Sequence, residues 1–258
     1  MQLAKHLAQG KLTYLHQDNE TISVSGNEHY RWLAFGANNN EQVIQSVMLK
    51  RKPWQLTLPH QTALMLPLLF FKPNKVIELG LGGGNIQRYL HKVSPQITLH
   101  SIEHSRVVID CFKQYFNPQN IQAQVIYSDS KQWLQHNTAN YDWYICDIYQ
   151  QEIQSYHNTV NQLEYITANV KPDTCLSINL PDATDNEVNL LLTILKQIST
   201  QHEITYFHIP NYLNIIIHLI PKQWQTYKRI KRNKHSYLPK HTFSRWQGFW
   251  LHGKKVPL

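Results

Sequence analysis

At 258 residues the chain is long enough for one large α/β domain with a small appendage, and too short for a second full domain beside it. Its formal charge of +8 is concentrated, because ten Lys and Arg lie beyond residue 220 with no acid among them, which leaves the first 220 residues at −2. No apolar run approaches the roughly 20 residues of a membrane span and "MQLAKHLAQG" lacks a signal-peptide core, so a soluble, cytoplasmic protein without a membrane partner is expected.

Residues 11–48 carry short alternating runs, "KLTYLHQ", "ETISVSG", "HYRWLAFG" and "EQVIQSVM", parted by the turn-rich clusters "DNE", "SGNE" and "GANNN". That is the pattern of a small antiparallel β module. A long loop around "KRKPW" leads out of it. From Pro59, "PHQTALMLPLLFF" predicts a buried helix, with proline at its start where the missing N–H costs nothing.

Strands are expected next at 75–80, 97–103, 122–128, 141–147 and 173–180, with helices between them at about 84–93, 105–116, 129–137 and 154–168. A helix at about 184–200 precedes a hairpin of "EITYFHI" and "LNIIIHLI" turned at "PNY". Apolar strands alternating with helices imply a parallel sheet covered on both faces. The expected fold is therefore α/β: a Rossmann-like doubly wound sheet with a C-terminal antiparallel hairpin, preceded by the β module. Residues 1–58, 59–220 and 221–258 form the module, the main domain and a basic aromatic extension.

The first strand of the main domain runs into a glycine loop, "VIELGLGGGNIQRYL". Glycines permit close backbone approach to a ligand, and the following helix offers unpaired N–H groups. A dinucleotide fingerprint starting at Gly80 would need glycine at position 85, where the chain has Asn85, and no Gly-Lys-Ser/Thr of a nucleotide triphosphate loop follows. The sequence instead reads Glu78-x-Gly80-x-Gly82-x-Gly84, which resembles the first motif of class I S-adenosylmethionine-dependent transferases.

Two acids extend the pattern. Glu103 ends the second strand, 19 residues beyond Gly84, where a carboxylate can accept both ribose hydroxyls. Asp129, followed by Ser130, ends the third strand, where a carboxylate can accept an adenine amino group. Each alone also reads as a helix N-cap or a first-turn charge. Together at successive strand ends they mark a donor site.

Other chemistries have less support. Cys111, Cys146 and Cys175 have no CxxC spacing and read as buried thiols. The fifteen histidines form no HExxH or compact cluster, so no metal is expected. His60 and His104 are expected to pair with backbone groups.

The collinear segments "SIEHSRVVIDCFKQYF", "YSDSKQWL", "YDWYICDIYQ" and "HIPNYLN", with the glycine loop and the β module, resemble the spermidine synthases and spermidine synthase-like proteins across most of residues 11–220. The resemblance implies a nucleoside sulfonium donor, S-adenosylmethionine or its decarboxylated form, an amine acceptor and a homodimer. It also implies Asp147 as the catalytic acid of the family's aspartate segment, and Tyr212 as the tyrosine of its Ile-Pro-x-Tyr turn. Tyr149 is placed to hydrogen-bond or stack on the acceptor.

Departures fall on the acceptor side. Gly83 stands where the family carries the aspartate that grips the aminopropyl ammonium, and Gln150 replaces the second acid of the aspartate segment. His60 and Gln61, in "PHQT", align only loosely with the family's Tyr-Gln pair. Loss of one charge-assisted hydrogen bond is worth about 1.5 to 3 kcal/mol. With one acceptor-side acid fewer, a monoamine or a neutral nucleophile suits the pocket of Gln150, His60 and Gln61 better than a dicationic polyamine.

The group transferred, aminopropyl or methyl, stays open, with Asp147 orienting the amine and taking its proton. The tail, with three of the seven tryptophans, predicts an amphipathic helix whose aromatics dock on the body. Two alternatives are a nucleic-acid methyltransferase using residues 222–258, and a nucleoside-binding protein without catalysis.

Overall fold

The computed structural model describes residues 2–18, 20–36, 42–148, 155–224, 226, 232 and 238–256. A short helix α1 (Gln2–Leu7) leads into a four-stranded antiparallel meander, β1 (Lys11–Gln17), β2 (Thr21–Gly26), β3 (Tyr30–Phe35) and β4 (Val43–Leu49). Alternation along the strands gives this sheet two apolar faces. Ile22, Val24, Leu33, Phe35 and Met48 pack toward the main domain, while Trp32, Ala34 and Val47 meet Leu58 and the Leu3 and Leu7 side chains of α1.

Helix α2 (Pro59–Leu64) starts at Pro59 as expected but is shorter than expected. Pro67 has no N–H to continue the ladder, and the chain passes into a 3-10 turn at Leu66–Leu69. The main sheet then builds through β5 (Lys75–Leu79), α3 (Asn85–Val93), β6 (Thr98–Glu103), α4 (Arg106–Cys111), β7 (Gln124–Tyr127), α5 (Ser130–His136), β8 (Trp143–Cys146), α6 (Ser155–Asn169), β9 (Cys175–Leu180) and α7 (Asp185–Ile198). It closes with the hairpin β10 (His202–His208) and β11 (Ile215–Pro221). Thr184 and Glu187 form a reciprocal capping box at the start of α7. The expected helix over 105–116 begins as α4 and finishes as a π turn, Phe112–Phe116.

Strands β5 to β9 are parallel, β11 pairs antiparallel with β9, and the order is β10-β11-β9-β8-β5-β6-β7. Successive residues of a strand enter different cores. Trp143 and Ile145 of β8 face the cluster shared with α3 and the chain's end, and Tyr144 and Cys146 face the cluster shared with α6 and α7. The α/β reading and the antiparallel hairpin at the edge both hold.

The tail is part of this core. Helix α8 (Lys240–Trp250) buries Phe243, Trp246 and Trp250 against the 3-10 turn and β11, as the amphipathic reading anticipates. A two-residue strand β12 (Lys254–Lys255), which periodicity cannot show, then adds antiparallel to β10 outside the hairpin.

One buried polar chain crosses the first core. Trp143 Nε1 donates to Ser177 Oγ at 2.9 Å, Ser177 lies 2.8 Å from His218 Nδ1, and His218 Nε2 lies 3.0 Å from the Ala63 carbonyl. Indole only donates, so the serine proton goes to Nδ1 and Nε2–H goes to Ala63. That is a neutral histidine, and burial lowers the pKa of His218 from 6.5 to about 3, with the Ala63 bond opposing.

Candidate functional site

The sheet order reverses at β5, which has β6 on one side and β8 on the other. Connections leave the strand ends there in opposite directions and open a crevice. Gly80 follows β5 at φ 94°, and a Cβ on it would lie 2.3 Å from the Asp147 carbonyl oxygen. Only glycine satisfies both the left-handed backbone and this approach.

Glu103 locks the loop to the end of β6. Its Oε2 accepts the Leu81 N–H at 3.1 Å and its Oε1 the Ser105 N–H at 2.9 Å, with His104 Nδ1 at 3.2 Å. A carboxylate has about four acceptor positions, so capacity remains for a ligand. Asp129 does two things at once: its Oδ1 caps α5 through the Gln132 N–H at 2.9 Å, and it lines the same cavity as Glu103. Ser130 donates to Gln162 Oε1 at 2.9 Å, tying α5 to α6.

Glu78 is buried beneath the loop and accepts the Ser101 hydroxyl, which itself accepts from Gln87. Burial pushes its carboxyl well above the usual carboxylate range, the charges of Asp147 and Glu103 add to that, and Ser101 and Arg88 oppose it. Arg88, fully buried on α3, donates to the carbonyls of Pro53, Gly83 and Phe116 and to Asn85 Oδ1. It pins the loop's far side to the segment leading out of the β module.

Asp147 sits just past β8, its N–H on the Leu79 carbonyl at 2.9 Å. Its Oδ1 accepts from Asn179 Nδ2 at 2.7 Å, and Asn179 Oδ1 accepts from Asn214 Nδ2 at 2.9 Å. These asparagines, which the sequence reading missed, hold the carboxylate in one orientation. Their only signal is a polar residue late in one apolar run, "CLSINLP", and at the start of the other, "LNIIIHLI".

His60, at the start of α2, lines the cavity with its ring edge-on to Tyr212, centroids 6.4 Å apart. Its Nδ1 is buried without a hydrogen-bond partner, so the expected backbone bond is not made there. His104 likewise turns Nδ1 to the Glu103 carboxylate rather than to backbone. Burial lowers the His60 pKa, and Asp147 opposes that. Gln61 also reaches the cavity, but its amide oxygen accepts the Thr57 and Leu58 N–H groups, both at 3.2 Å, and so is committed to starting α2. Tyr212 is 42% exposed at the hairpin turn, after Asn211 at φ 64°. Tyr149 and Gln150 lie outside the described residues.

These residues surround one cavity of about 680 Å³. It gathers Glu78, Gly80, Gly82, Glu103, Asp129, Ser130, Asp147, His60, Gln61 and Tyr212. Gly84 is left out; it starts α3 against the Phe112 ring. The β module supplies the opposite wall, where Ser46 Oγ accepts the Gly83 N–H at 2.8 Å. Among the described residues no three His, Cys, Asp or Glu are grouped to hold a metal ion, and no helix is long and apolar enough to cross a membrane.

Comparison with known proteins agrees with this geometry. A probable spermidine synthase from Corynebacterium glutamicum superposes with a TM-score of 0.69 at 15% identity, covering 92% of this chain and 87% of its own. A spermidine synthase in complex with the transition state analogue AdoDATO gives 0.62 at 13% identity, covering 93% and 89%. Human methyltransferase-like protein 13, in complex with SAH, gives 0.55 at 15% identity, covering 76% and 93%. At these identities the likeness shows the fold. A search of curated proteins by sequence gives no significant match. The profile of the spermine/spermidine synthase domain, however, matches residues 56–234. That span takes in the glycine loop, the acids at three strand ends and the hairpin turn, and the chain belongs to the spermine/spermidine synthase domain family, as an S-adenosylmethionine-type transferase.

Proposed function

We propose that the protein moves an alkyl group from an adenosyl sulfonium, S-adenosylmethionine or its decarboxylated form, to a small amine. One observation carries this reading: Glu103, Asp129, the glycine loop and Asp147 share a single cavity at the strand reversal. Glu103 would take the ribose hydroxyls and Asp129 the adenine edge, laying the sulfonium tail across Gly80 to Gly82 toward Asp147. The solved relatives bound to SAH and to AdoDATO support the same donor class.

A sulfonium carbon is already electrophilic, so the protein's contribution is alignment and proton removal. The Asn179–Asn214 pair holds Asp147 toward the attacking nitrogen. In-line attack forms the new C–N bond as the C–S bond breaks, and Asp147 takes the ammonium proton. His60, kept from charging by burial, leaves the amine next to a neutral ring rather than a competing cation.

Calorimetry with S-adenosylmethionine, its decarboxylated form and methylthioadenosine tests the reading. Binding of at least one, weakened about 10- to 100-fold by Glu103→Ala through loss of charge-assisted hydrogen bonds, is the expected result. If none of the three binds, the reading fails. The ratio of the two sulfonium donors assigns methyl or aminopropyl transfer.

A further inference from the structure

The cavity wall away from the glycine loop and the two strand-end acids has a distinct chemistry. Four carboxylates line the cavity among the described residues: Glu78, Glu103, Asp129 and Asp147. Glu103 is bound to the loop and β6, Asp129 caps α5 beside it, and Glu78 is buried on Ser101. Asp147 is then the one acid of that set on the acceptor side.

Beyond it the wall is hydrocarbon. Leu3 and Leu7 of α1, Val47 of β4 and Leu58 pack in one apolar cluster, and all four line the cavity. Val43 and Ile44 continue that wall and are 44% and 37% exposed. Leu58 stands two residues before His60, whose ring meets Tyr212, so the apolar wall adjoins the acceptor end.

The geometry points to an acceptor that carries one amino group on an apolar body, with the amine at Asp147 and the body against α1, β4 and Leu58. This rests on the transferase reading above and names its substrate class. A hydrocarbon body gains by leaving water at such a wall. A second ammonium on the same body would lie against it with no carboxylate among the described lining residues to pair with, and desolvating an unpaired charge is strongly unfavourable. The α1 helix thereby becomes part of the specificity pocket, although it lies outside the segment that matches the family profile.

The test uses a matched pair of equal length, hexylamine and hexamethylenediamine, titrated calorimetrically into the full chain with and without methylthioadenosine. Hexylamine is expected to bind at least about tenfold more tightly, from the cost of an unpaired buried charge. Ile44→Glu places a carboxylate on the apolar wall at a partly exposed position and is expected to narrow that ratio. Equal or tighter binding of the diamine, no measurable binding of hexylamine, or a ratio unchanged in Ile44→Glu overturns the inference. Failure of methylthioadenosine to bind counts instead against the transferase reading, and the amine ratio is still read in the titrations without it.

Discussion

Ser46 of β4 and Gly83 of the glycine loop, 37 positions apart, share a 2.8 Å hydrogen bond from the Gly83 N–H to the serine hydroxyl. A Cβ built on Gly83 would stand 2.7 Å from the Ser46 Cβ and 3.3 Å from the Phe116 ring. The position that resembles the family's aminopropyl-gripping aspartate is therefore more than a missing acid. Ser46 of the β module occupies the volume where such a side chain would begin.

Gly83→Asp is accordingly expected to destabilise the protein by about 1 to 3 kcal/mol, the range for overpacking a filled site. Adding Ser46→Gly should restore part of the loss. Thermal melts of the single and double variants check this; a Gly83→Asp single variant as stable as the parent refutes it. The single variant is also expected to gain no preference for the decarboxylated donor, because the new carboxylate starts in a clash.

Asp147→Asn should lower turnover by roughly 10²- to 10⁴-fold, the usual contribution of a positioned general base, while nucleoside affinity changes little. Asn179→Ala should have a smaller effect of about tenfold, near the low end for a hydrogen bond to a charged group. Single-turnover rates set beside calorimetric donor affinities separate the two. Equal loss of donor binding and rate would place Asp147 in the donor site instead.

His218 sets an acid limit on stability. Its pKa falls from 6.5 unfolded to about 3 folded, so between those values the unfolded chain binds the extra proton. Its contribution is present above pH 6.5 and is lost progressively as pH falls toward 3, at up to about 1.4 kcal/mol per pH unit for one proton. Urea midpoints from pH 7 to pH 4 should fall less steeply in His218→Gln than in the parent, whatever the variant's loss at pH 7. Parallel slopes would show that another group dominates.

The tail aromatics answer to folding. Trp246 is 1% exposed and packs beside Tyr89, centroids 5.8 Å apart. Trp246→Ala should cost about 3 to 5 kcal/mol, visible as a lower melting temperature. An unchanged melting temperature would mean that the helix is a detachable arm.

The central strands of the main sheet were legible because they are apolar runs bounded by turn chemistry, and the acids at its strand ends fall where one-dimensional spacing puts them. The break before Pro67 was not legible, because the apolar run around it looks like one continuous helix. What spacing could not show is contact across long separations. Asn179 and Asn214 look like ordinary polar residues beside apolar runs until β9 and β11 pair. Ser46 reads as one more β-module position until the module closes on the loop. His60 and His104 illustrate the converse: a histidine has many backbone partners available in principle, and which one it takes depends on packing that no local pattern encodes.

The outermost strand of the main sheet, β12, consists of Lys254 and Lys255, both exposed. An open sheet edge offers unpaired N–H and C=O groups to any passing chain. Here β12 pairs with Thr205 and Tyr206 in the middle of β10, the Lys255 ammonium lies 3.2 Å from Glu203 of the same strand, and the Lys254 ammonium stands over the Tyr206 ring. A neighbouring molecule approaching the middle of β10 to extend the sheet meets a strand already in place that is only two residues long and held by side chains of β10 itself, so the continuous run of open ladder on that side of the hairpin is interrupted.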